Sequence, residues 1–173
     1  AMDEKTPAGR TTDESRYVLR PVTKDNIDEL LALEINDDQK GFVSTVAESL
    51  AQAYVYYDTA YPFAVYDGDE AVGFIMMAYY NAKQYYTLWK LLIDRRHQNR
   101  GAGRAALEQG IAFLKERFGA REIYTGVVPE NAVAKRLYSS VGFVPTGLFE
   151  FGMEEWRLDI ADPQGFQDKK PAM

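Results

Sequence analysis

Six residues, Gln98-Asn99-Arg100-Gly101-Ala102-Gly103, carry the chain from an apolar run, Leu91-Leu92-Ile93, into a segment with helical periodicity. A strand, a glycine turn and a helix start in that order predict an α/β unit with a backbone cradle for an anion. The first amides of a helix have no partner inside it, and the helix dipole adds partial positive charge at that end. Glycine at 101 and 103 removes the Cβ atoms that would hold a phosphate away from those amides. The turn therefore predicts a phosphate-bearing ligand. Two common phosphate motifs do not fit. A dinucleotide fingerprint needs a third glycine where this chain has Arg104-Ala105-Ala106, and a triphosphate loop needs Gly-Lys-Ser/Thr at its end.

The elements around the turn place it in a larger pattern. Strands are predicted at Tyr17–Val22, Pro62–Tyr66, Ala71–Tyr80, Tyr86–Ile93, Glu122–Val128, Phe143–Val144 and Glu154–Ile160, the last two as a terminal hairpin. A first helix is predicted from a Thr23 cap through Ile27, Leu30, Leu31 and Ile35. A second runs from Thr45 to Tyr56, with Thr45 and Glu48 spaced as a capping box. The central helix runs from Gly101 to Arg117, with Leu107, Ile111, Leu114 and Phe118 as its core stripe and Gly119 as its stop. Asn131 caps a fourth helix that Gly142 ends. The order predicts an α/β (α+β) domain, a mixed and mostly antiparallel sheet of about seven strands flanked by about four helices. A chain of 173 residues suits one such domain. The polar segments 1–16 and 162–173 read as a flexible leader and tail around a domain over 17–161.

Composition narrows the ligand classes. The net charge of −6 argues against nucleic acid as a partner. Cysteine is absent, which excludes a disulfide framework and a thiolate metal site. No metal site is predicted. No apolar run approaches the roughly 18 residues of a membrane span, and no signal-peptide pattern is seen. A soluble, cytoplasmic protein with no membrane partner is expected.

A second constellation follows the central helix: Asn131, then Tyr138 nearly two turns later, then Gly142-Phe143. By itself it reads equally well as a helix with a buried tyrosine. Together with Gln98-Asn99-Arg100-Gly101-Ala102-Gly103 and the strand before it, it resembles the GCN5-related N-acetyltransferase family, whose signature is Q/R-x-x-G-x-G/A. The resemblance spans Val18 to Ile160. Longer segments, among them Gln39–Val43, Ser49–Tyr54, Leu88–Asp94 and Val128–Asn131, are similar to bacterial members described as spermine/spermidine or diamine acetyltransferases.

The resemblance implies acetyl-coenzyme A as donor and a primary amine of a small molecule, such as a polyamine or diamine, as acceptor. It implies that the pyrophosphate meets the backbone from Arg100 to Arg104, with Gln98 and Asn99 shaping the turn. The pantetheine arm would pair like an added strand with Leu91, Leu92 and Ile93, beside a splayed strand at Gly126-Val127. Asn131 and Tyr138 complete the cofactor-binding set. Transfer is expected by direct attack of the neutral amine, with an oxyanion donor near Ile93 and Tyr138 as general acid.

Glu34, Asp37 and Glu48 are candidate bases, with a water relay as the alternative. Lys90 stands where some members of the family place a catalytic carboxylate. Glu34, Phe42, Tyr80 and Trp89 are candidate acceptor contacts, Tyr79 lies beside them, and His97 reads as a loop residue near phosphate. A homodimer is expected from the family. The alternatives are an amine antibiotic, an amino acid or a protein N-terminus as acceptor, or a non-catalytic acyl-coenzyme A sensor.

Overall fold

The computed structural model describes residues 16–160, so the expected leader and tail lie outside the described residues except for Arg16. Seven strands and four helices follow the predicted order. They are β1 (Tyr17–Pro21), α1 (Ile27–Leu31), α2 (Val46–Val55), β2 (Ala60–Asp67), β3 (Glu70–Tyr80), β4 (Tyr85–Ile93), α3 (Ala102–Phe118), β5 (Glu122–Val127), α4 (Ala132–Val141), β6 (Val144–Glu150) and β7 (Met153–Asp159). The sheet order is β1-β2-β3-β4-β5-β7-β6, and every pairing is antiparallel except β4 with β5.

The core has two layers, one on each face of the sheet. Val65, Ile75, Met77, Leu88 and Ile123 pack beneath α3, where Leu107 and Leu114 are fully buried and Ile111 and Phe118 partly so. The opposite face packs Leu30 of α1 and Val46 and Ala53 of α2 against Phe74, Met76 and Leu92. β3 is central and buried on both faces, so its sequence is a continuous apolar run rather than an alternating one. Gln109 of α3 ties the edge strand to the core. Its side chain accepts from the Leu19 amide at 3.2 Å and donates to the Tyr17 carbonyl at 2.5 Å, covering backbone groups that β2 does not use.

Two predicted elements differ in extent. α1 is a five-residue helix that starts after Asn26, not at Thr23. Thr23 still opens the turn that leads into it: its hydroxyl accepts from the Asp25 amide at 3.2 Å and its carbonyl from the Ile27 amide at 3.0 Å, while the buried Asn26 accepts from the Thr23 N–H and donates to the Pro21 carbonyl. The helix ends at Leu31, so Ile35 lies beyond it. β6 extends to Glu150, although all of its residues are exposed. α2 has the expected cap, the Thr45 hydroxyl accepting from the Glu48 amide at 3.1 Å.

Gly73 is where the sheet comes closest to excluding any side chain. A Cβ there would sit 2.6 Å from the Leu92 carbonyl oxygen, which is backbone of β4 and cannot turn aside. Gly73→Ala is expected to destabilise the fold by about 1–3 kcal/mol, as overpacking does. Urea denaturation monitored by far-UV circular dichroism checks it; an unchanged midpoint would show that β4 yields without cost.

Candidate active site

β4 and β5 pair in parallel only from Tyr86 to Leu88 against Ile123 to Thr125. Beyond that point β5 continues with β7, through Gly126 and Val127, while β4 keeps β3 alone. The two strands therefore part. The buried Thr125 hydroxyl donates to the Leu88 carbonyl at 3.1 Å, at the apex of the gap.

The register of β3 and β4 decides which backbone groups face that gap. The Asp94 amide donates to the Val72 carbonyl at 2.8 Å, across the Gly73–Ile93 pair. That bond makes Gly73–Ile93 a pair whose own N–H and C=O groups point away from each other. Leu91, two residues back, shares this orientation. Leu91 and Ile93 thus turn their backbone groups toward the gap, whereas those of Leu92 go to Phe74 and its side chain is buried on the α1/α2 face. The Ile93 carbonyl is taken by Gln98, whose Nε2 donates to it at 3.0 Å. The Leu91 N–H and C=O and the Ile93 N–H stay aimed into the gap.

The turn after β4 closes one end of this opening. Asn99 and Gly101 both have positive φ, at 61° and 88°. Asparagine tolerates that region; at 101 only glycine holds it without strain. Gly101 is the N-cap of α3 and makes no side-chain cap bond, so the amides of Ala102, Gly103 and Arg104 meet the opening without a capping oxygen. The Tyr17 hydroxyl donates to the Arg100 carbonyl at 3.3 Å and fixes the turn from below. Gln98 does more than shape the turn. It also exchanges bonds with Gln39, at 2.8 and 3.4 Å, and accepts from Asn36 at 2.8 Å. It thereby ties the α1–α2 connection to the end of β4.

Asp94, which sequence reasoning passed over as a strand end, makes the same link from below. It is 1% exposed. Its carboxylate accepts from the Glu34 amide at 3.0 Å and from the Arg96 amide and guanidinium at 3.0 and 2.9 Å. Burial raises its pKa, but the Glu34 amide and Arg96 together hold it below the usual carboxylate value.

These elements enclose a cleft of about 670 Å³. Leu91, Leu92, Ile93, Gln98, Asn99, Gly101, Ala102, Gly103, Arg104, Asn131 and Tyr138 all border it; Arg100 does not. Asn131 caps α4, its Oδ1 accepting from the Ala134 amide at 3.1 Å. Tyr138 is 9% exposed and packs on Phe143. Burial pushes its phenol upward, against a smaller opposing effect of the Thr125 hydroxyl.

Of the acceptor candidates, Phe42 and Trp89 border the cleft, but Glu34 and Tyr80 do not. Glu34 is exposed and paired with Arg95 at 3.2 Å. Tyr80 lies at the β3–β4 hairpin end against Tyr85, and Tyr79 packs on Tyr86, both as cross-strand aromatic pairs. Asp37 is held by Lys40 at 2.7 Å. His97 borders the cleft with its ring 3.2 Å from Glu70. Among the described residues no group of three or more metal-ligating side chains is gathered, and no helix is long and apolar enough to cross a membrane.

A backbone-lined gap, an uncapped helix start and a buried tyrosine at the apex suit a thioester carried on a phosphate-bearing arm. The sequence model of the "Acetyltransferase (GNAT) family" matches residues 27–143. The chain belongs to that family. It is an N-acetyltransferase with acetyl-CoA as its donor. It is 28% identical over 145 residues to a spermine/spermidine N(1)-acetyltransferase of Bacillus subtilis, covering 79% of this chain and 93% of that protein. It is 33% identical over 97 residues to an N-alpha-acetyltransferase of Sulfurisphaera tokodaii, covering 50% and 58%. In fold it is similar to a spermidine N-acetyltransferase of Vibrio cholerae, solved with CoA and spermine. The TM-score is 0.66 at 19% identity, over 84% of this chain and 96% of that one.

The lowered pKa of Asp94 gives this GNAT enzyme a pH signature. Its contribution to stability is fully present above the unfolded carboxylate value of about 4 and is lost as pH falls through its lower folded value. Asp94→Asn removes that titration and is expected to cost about 1–3 kcal/mol at pH 7. Urea midpoints measured from pH 7 down to pH 3 check it: the gap between the two proteins narrows as the pH falls, and a constant gap would remove Asp94 from the linkage.

Proposed function

We propose that this enzyme transfers the acetyl group directly to the primary amine of a small molecule, with Tyr138 as the general acid. The observation that carries the proposal is the buried Tyr138 phenol on the cleft wall near Thr125, where β4 and β5 part. Acetyl-CoA supplies an activated acyl group on sulfur. Every other part of the reading concerns the chain's own groups. The amides at Ala102, Gly103 and Arg104, with Arg104 itself, bind phosphate charge. The Leu91 and Ile93 backbone groups hold the arm as an added strand, and the Ile93 N–H donates to the carbonyl oxygen at which attack occurs.

Tyr138 gives its proton at the departing sulfur. Its raised pKa keeps that proton in place through neutral and mildly alkaline pH. Among the described residues no carboxylate borders the cleft, which supports water, rather than Glu34, Asp37 or Glu48, as the carrier of the amine's proton. A non-catalytic sensor would have no use for a phenol held in this position.

The names of the Bacillus and Sulfurisphaera relatives offer two acceptor classes, a polyamine and an α-amino group. A cytoplasmic setting belongs to the same proposal and suits a chain without cysteine. So does a homodimer through the edge strand β6, where Val144, Leu148 and Phe149 are all exposed. Analytical ultracentrifugation is expected to give twice the chain mass, and a strictly monomeric protein at micromolar concentration would remove the dimer.

For the chemistry, Tyr138→Phe is expected to lower kcat about a hundredfold with little change in coenzyme A affinity. Thiol release from acetyl-CoA with a panel of polyamines, amino acids, aminoglycosides and short peptides measures kcat, and calorimetry measures affinity. An unchanged kcat would take Tyr138 out of the mechanism.

A further inference from the structure

The side chains that border the cleft carry charge of one sign. Lys90, His97, Arg104 and Arg136 border it, and no aspartate or glutamate of the described residues does. Lys90 apart, these groups stand at the donor end. Arg104 is on the first turn of α3 and pairs with Glu108 at 3.0 Å, His97 is bonded to Glu70, and Arg136 stands on α4. Lys90 stands on the other side of the sheet.

A bulge in β4 puts it there. Lys90 pairs with Met76 and Leu88 with the next residue, Met77, so Trp89 is the extra residue of the strand. As a result Trp89 and Lys90, consecutive in sequence, both reach the α1/α2 face. Trp89 packs on Tyr56 of α2 with ring centroids 5.6 Å apart, and the Lys90 Nζ donates to the Ser44 hydroxyl at 2.7 Å. Burial pushes the Lys90 pKa down, opposed by attraction from Glu48 on α2, and no carboxylate of the described residues shares its part of the cleft wall. An ammonium has three donors, and Ser44 takes one. The remaining donors stand in a half-buried, aromatic-walled part of the cleft whose wall carries no carboxylate of the described residues. In the α1–α2 connection Glu34 is paired with Arg95 and Asp37 with Lys40, and Glu48 on α2 acts on Lys90 only from off the cleft wall.

Building on the acetyl-transfer reading above, we propose that the acceptor is a small amine that also carries a carboxylate, and that Lys90 with Ser44 binds that carboxylate. The same contact assists the chemistry. A free carboxylate beside an ammonium holds the proton on it, and pairing that carboxylate with Lys90 removes the hold, so the amine is more easily made neutral for attack. A diamine or polyamine brings a second ammonium to the same place, where it meets Lys90 and no carboxylate on the cleft wall.

Matched acceptors that differ by one carboxylate test this: lysine against cadaverine, and ornithine against putrescine, with thiol release from acetyl-CoA as the readout. The wild type is expected to prefer the carboxylated member about tenfold or more in kcat/KM, chiefly through KM. Lys90→Gln is expected to bring each pair within about threefold, and Lys90→Glu to reverse the preference. A melting-temperature rise with coenzyme A alone reports that each variant is folded. Equal use of each pair by the wild type, preference for the diamines, or an unchanged preference in folded Lys90→Gln would each overturn the acceptor assignment and leave acetyl transfer standing. Coenzyme A binding with no thiol release for any acceptor would overturn the transfer reading and the acceptor assignment with it.

Discussion

The parting of β4 from β5 is the constraint on which the rest of the structure depends. A sheet gains stability by pairing every backbone group, and an unpaired stretch in its middle is costly wherever water is excluded. Here the middle of a seven-stranded sheet is left open after Leu88. The opening is held on both sides: β7 takes β5 onward, and β3 holds β4 through a pairing so close that Gly73 has no room for a side chain. The cleft is therefore part of the sheet's own topology and does not rest on a loop. Its walls come into register with the first turn of α3 through a single 3-10 turn, Arg95–His97, between β4 and Gln98.

A gap of this kind has two halves that must keep their distance, and two side chains do that work. Gln98 and Asp94 both reach from the end of β4 to the α1–α2 connection, one above the strand end and one below it. Each takes up backbone groups in part-buried bonds, the Ile93 carbonyl for Gln98 and the Glu34 and Arg96 amides for Asp94. The connection they hold carries Phe42, Ser44 and Gln39 to the cleft. The position of that wall thus depends on Gln98 and Asp94 as well as on the side chains that form it.

How far the sequence revealed this varies with the range of the interaction. The strand–turn–helix unit, the Thr45 and Asn131 caps and the α3 stripe are local patterns, and each appears where its period or spacing put it. The direction of Gln98, the burial of Asp94 and the hold of Gln109 on β1 join residues some 60 to 90 positions apart. No local period announces such pairs. α1 ends at Leu31, short of Ile35, although Thr23 makes the cap-type bonds its spacing predicts. Tyr80 looked like an acceptor contact by its chemistry, but register placed it at the hairpin end; one bulged residue, Trp89, decided which of the strand's polar side chains entered the cleft.

The donor and acceptor halves are built from different materials, and this affects how similarity to relatives can be read. The donor half is largely backbone: strand edges, uncapped amides, a glycine with positive φ. Such a site survives extensive side-chain change, since it asks only that the chain follow the same path. The acceptor half is side chains set on a bulge and a short connection, where one substitution alters charge outright. A relative at 28% identity can share the first half in full while differing throughout the second. For this chain the proposed acceptor rests on Lys90 and its neighbours, and a relative's substrate is a guide to it only where the relative presents the same charge at the same place.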